Sequence, residues 1–137
     1  MDPRTPTLAA GTAVLLPGSG SDEVFLHAAF ADPLAAAGVS LRAVPPKASV
    51  VRNYLQALDA AADAAASRGG KLLVGGVSLG AHVAVQWAAS RPGCCAGVIA
   101  ALPAYTGLAD GAPAAVAARA SADLVRAEGL ERALSVA

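Results

Sequence analysis

The segment LLVGGVSLGAHVAVQWA, which runs from Leu72 to Ala88, decides the fold of this chain. It begins as an apolar run, breaks at two glycines, passes through a single serine, Ser78, and then resumes with apolar residues at helical spacing. A short apolar run bounded by glycine predicts a strand, and the spacing after it predicts a helix. Ser78 would therefore stand on a tight turn between a strand and a helix.

The same alternation of strand and helix continues on both sides of this segment. Strands this apolar, alternating with helices, are typical of a parallel sheet that is covered by helices on both faces. The expected fold class is therefore α/β, with a sheet of about four parallel strands. The strands are predicted at residues 12–16, 39–44, 72–74 and 96–102, and the helices at 23–37, at 80–90 and between a capping Ser49 and Gly69.

The amino-acid composition of the chain changes after the fourth predicted strand. Residues 1–110 carry the alternation of strands and helices, whereas residues 111–137 are rich in alanine and predict a helical tail that breaks near Gly129. The tail is too short to form a domain of its own. We therefore expect the core in residues 1–110 and a helical extension in residues 111–137.

Composition and charge exclude several classes of protein. The 137 residues are 55% hydrophobic and carry a formal net charge of +0, without a basic cluster that would make nucleic acid an expected partner. No apolar stretch reaches the roughly 18 residues that a membrane span needs, and the first residues lack the pattern of a secretory leader. We expect a cytoplasmic protein whose partner is a small-molecule substrate.

The sequence predicts neither a cofactor nor a metal. It contains no G-x-G-x-x-G and no G-x-x-x-x-G-K-[ST], the glycine-rich patterns that bind nucleotides. Its two cysteines, Cys94 and Cys95, are neighbours in the chain, and a disulfide between neighbours is strained. We expect them to be free, half-buried thiols, and two cysteines alone do not form a metal site.

Gly76-Val77-Ser78-Leu79-Gly80 matches the pattern G-x-S-x-G, the nucleophile elbow. The pattern lifts a serine hydroxyl above the end of a sheet. It needs small residues two before and two after the serine, so that the strand and the helix can close around the turn. A helix N-terminus beside the serine also stabilises negative charge. The position of the match supports its assignment as a nucleophile elbow, because it follows a predicted strand and precedes a predicted helix.

With these features the sequence resembles the α/β-hydrolase family. The resemblance spans about residues 10–110, and the helical tail resembles the start of a cap. The stretches that carry it look like the strand with its oxyanion loop, the strand with its nucleophile elbow, and the next strand with the loop that leads to the cap. They are AVLLPGSGSDEVFLHAAFADPLAAAG at residues 13–38, LLVGGVSLGAHVAVQWA at 72–88 and AGVIAALPAYTG at 96–107.

The resemblance implies a site built around Ser78. Ser78 would be the nucleophile, and the oxyanion donors would be the Leu79 N–H and a backbone N–H of the Gly18-Ser19 loop. This loop departs from the family's usual His-Gly, because Pro17 stands in the place of the histidine. Backbone donors do not depend on that side chain, so the loop keeps its implied role.

Two further residues are candidates for contact with the substrate. Tyr105 follows the fourth predicted strand, at the end of the sheet where parallel sheets bind ligands. Asp22 follows the Gly18-Ser19 loop, where it would help to position a substrate near Ser19. The alternatives are packing for Tyr105 and capping of a helix for Asp22.

The position of the histidines is the largest departure from the family's pattern. In the family the acid and the histidine follow the nucleophile, but no histidine follows His82 here. The resemblance therefore implies only the N-terminal half, with the acid and the histidine expected beyond residue 137 or on another chain. His82 and His27 are candidate bases. The structural alternative is a helix residue packed against the sheet for His82, and a solvent-facing or capping residue for His27.

These inferences predict a serine hydrolase that acts on ester-like acyl substrates and is incomplete as this chain. Half a sheet leaves an apolar edge, so we expect a homo-oligomer or a complementing C-terminal half. One alternative is a non-catalytic module that binds a small molecule or an anion at helix N-termini. The other alternative is an inactive subunit derived from a hydrolase.

Overall fold

The computed structural model describes residues 11–103, 107–108 and 110–136. These residues form two compact units that divide after Pro103. The first unit contains the sheet and the second unit is helical. The finer boundary between residues 110 and 111 stays a prediction.

The first unit is an α/β fold built on a sheet of four parallel strands. The strands lie in the order β2-β1-β3-β4, so the predicted fold class and number of strands are confirmed. A single 3₁₀ turn, Pro92–Cys94, precedes the last strand. In chain order the elements are β1 (Thr12–Leu16), α1 (Glu23–Ala36), β2 (Ser40–Ala43), α2 (Val50–Ala66), β3 (Leu72–Val77), α3 (Leu79–Ser90) and β4 (Cys95–Ala101).

Parallel pairing explains why a helix follows each of the first three strands. Two parallel strands need a crossover between them, and α1, α2 and α3 supply the crossovers. In the centre of the sheet, Val14 of β1 lies opposite Arg42 of β2 and Val74 of β3. The pairing brings the carboxyl ends of β1 and β3 together, and parallel sheets bind their ligands at this end.

The side chains of β1 alternate between the two faces of the sheet. Ala13 and Leu15 contribute to a cluster with the buried face of α1, which we call the α1-side core. Val14 and Leu16 contribute to a cluster with the buried faces of α2 and α3, which we call the α2/α3-side core. Helices therefore cover both faces of the sheet, as the nearly continuous apolar strands predicted.

Both ends of α1 are capped. At the start, the Asp22 carboxylate accepts a hydrogen bond from the Phe25 N–H at 2.9 Å. At the end, Gly38 has a φ of 74°, the left-handed conformation that glycine adopts without strain. The Val39 N–H then donates to the Leu34 carbonyl at 2.9 Å, which completes a Schellman motif.

Helix α2 begins differently from the prediction. Ser49 occupies the N-cap position, but its φ is 57° and its side chain makes no capping hydrogen bond. The expectation that Ser49 caps the helix is therefore wrong, because capping by a hydroxyl requires extended backbone at that position. Burial of the face that contains Tyr54 and Leu58 stabilises the helix instead.

The second unit contains two helices, α4 (Pro113–Glu128) and α5 (Leu130–Ser135). Gly129 separates them with a φ of 84°, at the position where the sequence predicts a break. The helical tail is thus confirmed, and its role as the start of a cap stays a prediction. Within the described ranges of both units, no helix is long and apolar enough to cross a membrane.

Leu58 tests how much the buried face of α2 contributes to stability. Leu58 is fully buried in the α2/α3-side core, whereas Leu55 on the same helix is 37% exposed. Leu58→Ala should lower the free energy of unfolding by about 2–5 kcal/mol, because it leaves a cavity in a packed core. Leu55→Ala should lower it by less than about 1 kcal/mol. Urea unfolding followed by circular dichroism measures both, and equal losses would contradict the assigned burial.

Candidate active site

Ser78 stands on the turn between β3 and α3 with a strained backbone. Its φ is 51° and its ψ is −114°, a region that residues other than glycine rarely occupy. The Ser78 N–H donates to the Ala101 carbonyl at 3.0 Å, and the Ser78 carbonyl accepts from the His82 N–H at 3.2 Å. The end of β4 and the first turn of α3 therefore hold this conformation in place.

The two glycines of the G-x-S-x-G pattern lie where β1, β3 and α3 approach one another closely. A Cβ atom on Gly80 would overlap the Leu16 carbonyl and lie 2.7 Å from the Pro17 oxygen. A Cβ atom on Gly76 would lie 2.6 Å from the carbonyl carbon of Gly80. Neither position accepts a side chain unless the backbone moves. The pattern is thus explained by the close packing of strands and helix around Ser78.

The β1–α1 loop, residues 17–22, lies directly against Ser78. Gly18 is buried, and a Cβ atom there would lie 3.2 Å from the Ser78 Cβ atom. The Gly18 N–H donates to the Ser21 Oγ at 2.8 Å, and the Ser21 N–H donates to the Gly18 carbonyl at 3.3 Å. The loop is therefore a tight turn, in which the Gly18 N–H already has an acceptor.

Two other backbone N–H groups at this place have no acceptor among the described residues. One belongs to Ser19, an exposed residue of the β1–α1 loop. The other belongs to Leu79, the first residue of α3, where helical N–H groups have no partner inside the helix. The positive end of the helix dipole lies at the same position. Both groups are thus available to an anionic oxygen.

Tyr54 reaches the β1–α1 loop from helix α2. Its side chain is fully buried, and its hydroxyl donates to the Pro17 carbonyl at 3.1 Å. Burial, and to a smaller extent the carboxylate of Glu23, raises the pKa of the Tyr54 hydroxyl, so the group stays a donor at neutral pH. In the sequence, Tyr54 stands at helical spacing with other apolar residues, which indicates packing in the core. The tyrosine at this core position was the only feature of the sequence that pointed to a hydrogen bond here, because a buried hydroxyl needs a partner.

The two histidines lie on different helices. His82 is half-buried on α3, and its backbone N–H bonds to the Ser78 carbonyl. His27 is exposed on α1, and its side chain makes no hydrogen bond or ion pair with another described residue. The Ser78 side chain makes no capping hydrogen bond to α3. The general base therefore stays a prediction.

The two candidates for substrate contact have different outcomes. The Asp22 carboxylate is exposed and caps α1 through the Phe25 N–H, which is the structural alternative that the sequence offered. Its contact with a substrate stays a prediction. Tyr105 lies outside the described residues.

The described part of the chain contains no group of three acidic, histidine or cysteine side chains that could hold a metal ion. Cys94 and Cys95 are free and half-buried, at the end of β4 opposite to Ser78. Burial is the main cause that raises the pKa of the Cys95 thiol, with a further contribution from Cys94, while Lys71 lowers it. A thiol that stays protonated is a weak nucleophile.

No local sequence pattern indicated the polar cluster at the far end of α3. Trp87 is buried, and its indole N–H donates to the Asp59 carboxylate at 2.8 Å. Arg91 pairs with the same carboxylate and lies 5.5 Å from the centre of the indole ring. These contacts join α2 to α3 and fix the helix that carries Ser78 at its other end.

Gly80 tests the close packing behind Ser78. Gly80→Ala should lower the free energy of unfolding by about 1–3 kcal/mol, because the added methyl group overlaps the Leu16 carbonyl. Alanine normally stabilises a helix relative to glycine by about 1 kcal/mol, so a net loss requires the overlap. Gly93→Ala is the matched control, since a Cβ atom there has open space. Chemical unfolding measures both variants, and a Gly80→Ala protein as stable as the parent would contradict the packing.

A solved structure with a similar fold is the crystal structure of Paleococcus ferrophilus monoacylglycerol lipase. The two proteins share 20% sequence identity, with a TM-score of 0.55, over 86% of this chain and 48% of the lipase. No protein-family model and no curated protein matches the sequence. This chain thus spans about half the length of the lipase, which is an α/β-hydrolase, and it has the fold of a partial α/β-hydrolase.

Proposed function

We propose that this chain forms part of a serine hydrolase that acts on small ester-like acyl substrates, with Ser78 as the nucleophile. The observation that carries the proposal is the backbone of Ser78, which has a φ of 51° on a turn between strand and helix. Strain of this kind persists at a turn only where the surrounding structure holds it, and it is concentrated at functional sites. The turn follows β3 at the carboxyl end of the sheet.

The proposed reaction has two steps. In the first, the Ser78 hydroxyl gives its proton to a base while its Oγ forms a bond to the carbonyl carbon of the ester. The carbonyl electron pair moves to oxygen and returns when the bond to the leaving alcohol breaks, and that alcohol takes up the proton. In the second step, water attacks the acyl-serine in the same manner and releases the acid.

The negative oxygen formed in each step needs hydrogen-bond donors that are already in place. We assign this role to the N–H groups of Leu79 and Ser19, because neither has another acceptor among the described residues. Gly18 contributes in a different way. Its N–H donates to Ser21, while its missing side chain lets the β1–α1 loop lie against Ser78.

The proposal needs a base for the Ser78 proton. A base acts within hydrogen-bond reach of the nucleophile, and another group usually orients it. His82 and His27 remain the candidates within the sequence, and sequence beyond residue 137 or a second chain is the alternative source of the histidine and the acid.

The substrate class rests on the type of site and on the comparison. The lipase that shares the fold is described as a monoacylglycerol lipase, and esters of this kind react with an activated serine. We therefore propose that the substrate is an ester. Screening of esters that differ in their acyl and alcohol parts would identify both parts.

Covalent labelling tests the nucleophile directly. A fluorophosphonate probe should add to the parent protein at one site, and Ser78→Ala should abolish the addition, because the probe reacts only with an activated serine. Ser90→Ala is the matched control on the same helix, where the Ser90 hydroxyl only donates to the Trp87 carbonyl. Intact-mass spectrometry before and after the reaction measures the labelling. Labelling that survives Ser78→Ala would contradict the assignment.

A folded parent protein that takes up no probe would favour the alternative of an inactive subunit. Binding of an anion at the same helix N-terminus, without covalent reaction, would favour the non-catalytic binding module. Titration with phosphate, followed by the amide signals of Ser19 and Leu79, separates these two alternatives.

We also propose that the outer edge of β4 pairs with another chain, either a second copy or a complementing half. Strand β4 pairs with β3 along one edge, and no described strand pairs along the other edge. All seven residues of β4 are uncharged and none is proline, so the strand lacks the usual protection against pairing. Val98 in its centre is 43% exposed. An open apolar edge of this kind favours association.

Size-exclusion chromatography with light scattering tests the association. The parent chain at micromolar concentration should elute with a mass above the 13.3 kDa of one copy. Val98→Lys should shift it towards the monomer, because the charge would be buried in the new strand pair. Val85→Lys is the control, since Val85 is similarly exposed, at 45%, but lies on α3. A monomeric parent would contradict pairing between copies.

A further inference from the structure

We propose that Tyr54 is a positioning residue whose hydroxyl sets the direction of the Ser19 N–H beside Ser78. The inference rests on the proposed function, because it concerns a donor that would stabilise the oxyanion. Tyr54 itself lies in the core and acts through the β1–α1 loop.

Tyr54 contacts the β1–α1 loop through a buried hydrogen bond. The Tyr54 hydroxyl and the Pro17 carbonyl are both buried, and they are 3.1 Å apart. A buried carbonyl needs a donor, and no other described group donates to this one. A phenylalanine would fill the same space in the α2/α3-side core. The hydroxyl is therefore explained by the loop and not by packing.

The planar peptide groups of the loop relate this contact to the Ser19 N–H. The Pro17 carbonyl and the Gly18 N–H belong to one planar group, which is held by Tyr54 at one end and by the Ser21 Oγ at the other. The next group begins at the Gly18 carbonyl, which accepts from the Ser21 N–H. Its carbonyl and its N–H point in opposite directions, because the peptide is trans. The Ser19 N–H is thus directed away from the hydrogen bond that closes the turn.

Helix α3 limits the position of the loop from the other side. A Cβ atom on Gly80 would lie 2.7 Å from the Pro17 oxygen, and a Cβ atom on Gly18 would lie 3.2 Å from that of Ser78. The peptide group between Pro17 and Gly18 is therefore enclosed by the tyrosine hydroxyl and the first turn of α3. Without the hydroxyl, the contact of the Gly18 N–H with Ser21 alone holds this group by a hydrogen bond, so the group can shift within this space. A shift at Gly18 changes the orientation of the next peptide group, which carries the Ser19 N–H.

Tyr54→Phe tests the proposal, because it removes the hydroxyl and keeps the ring. Amide spectra of the ¹⁵N-labelled protein should show shifts for Gly18 and Ser19, beyond those expected next to the changed residue. If the parent protein reacts with the fluorophosphonate probe, the labelling rate of Tyr54→Phe should be about tenfold lower than that of the parent. Loss of a whole oxyanion donor costs about 100–1000-fold, and a misdirected donor should cost less.

Leu58→Val is the matched control for a merely structural effect. Leu58 is buried on the same helix, one turn after Tyr54, and has no hydrogen bond to lose. Leu58→Val should lower the free energy of unfolding. It should leave the amide signals of the loop and the labelling rate per folded molecule unchanged. Equal changes in both variants would overturn the role of the hydroxyl.

The two measurements also separate this inference from the proposed function. Unchanged Gly18 and Ser19 signals in Tyr54→Phe, or labelling at the parent rate, would overturn the positioning role. A parent protein that takes up no probe would count against the activity of the chain, while the amide spectra would still decide whether Tyr54 orients the loop.

Discussion

The close approach of β1, β3 and α3 is the constraint on which the rest of this structure depends. At Gly76 and Gly80 the backbones come so near that even a methyl group would collide with a carbonyl. This approach lets α3 start immediately after β3, with a single residue, Ser78, between them. It also places the β1–α1 loop against that residue. One steric condition thus determines the path of three elements and the surroundings of the serine.

The strain at Ser78 is maintained by interactions that are distant in sequence. A residue in this conformation costs about 1–3 kcal/mol, which local contacts on a short turn do not supply. The Ala101 carbonyl at the end of β4 accepts the Ser78 N–H, and two apolar cores anchor the strands on either side. The same contacts leave the Leu79 N–H without an acceptor in the described part of the chain. The strained turn and the unpaired Leu79 N–H in the described part of the chain therefore come from one arrangement.

Much of the fold follows from local patterns in the sequence. Periodicity of apolar residues separates strands from helices, and glycine after α1 and α4 marks their ends, so the order of elements was predicted. The predicted cap at Ser49 is wrong. Serine is a suitable residue at an N-cap, but its backbone is left-handed here, so its hydroxyl does not cap the helix. The polar contacts of Tyr54 and Trp87 were missed for another reason. Their partners lie 37 and 28 residues away, and no local pattern reports such a separation.

The sequence by itself determined the alternation of strands and helices and the small residues around Ser78, because both depend on the spacing of neighbouring side chains. Only the tertiary structure decided which backbone N–H groups beside Ser78 have acceptors. Gly18 and Ser19 are adjacent in the chain, yet one N–H bonds to Ser21 and the other has no acceptor among the described residues. Hydrogen bonding of a loop depends on the orientation of each peptide group, and contacts from distant elements such as α2 set that orientation.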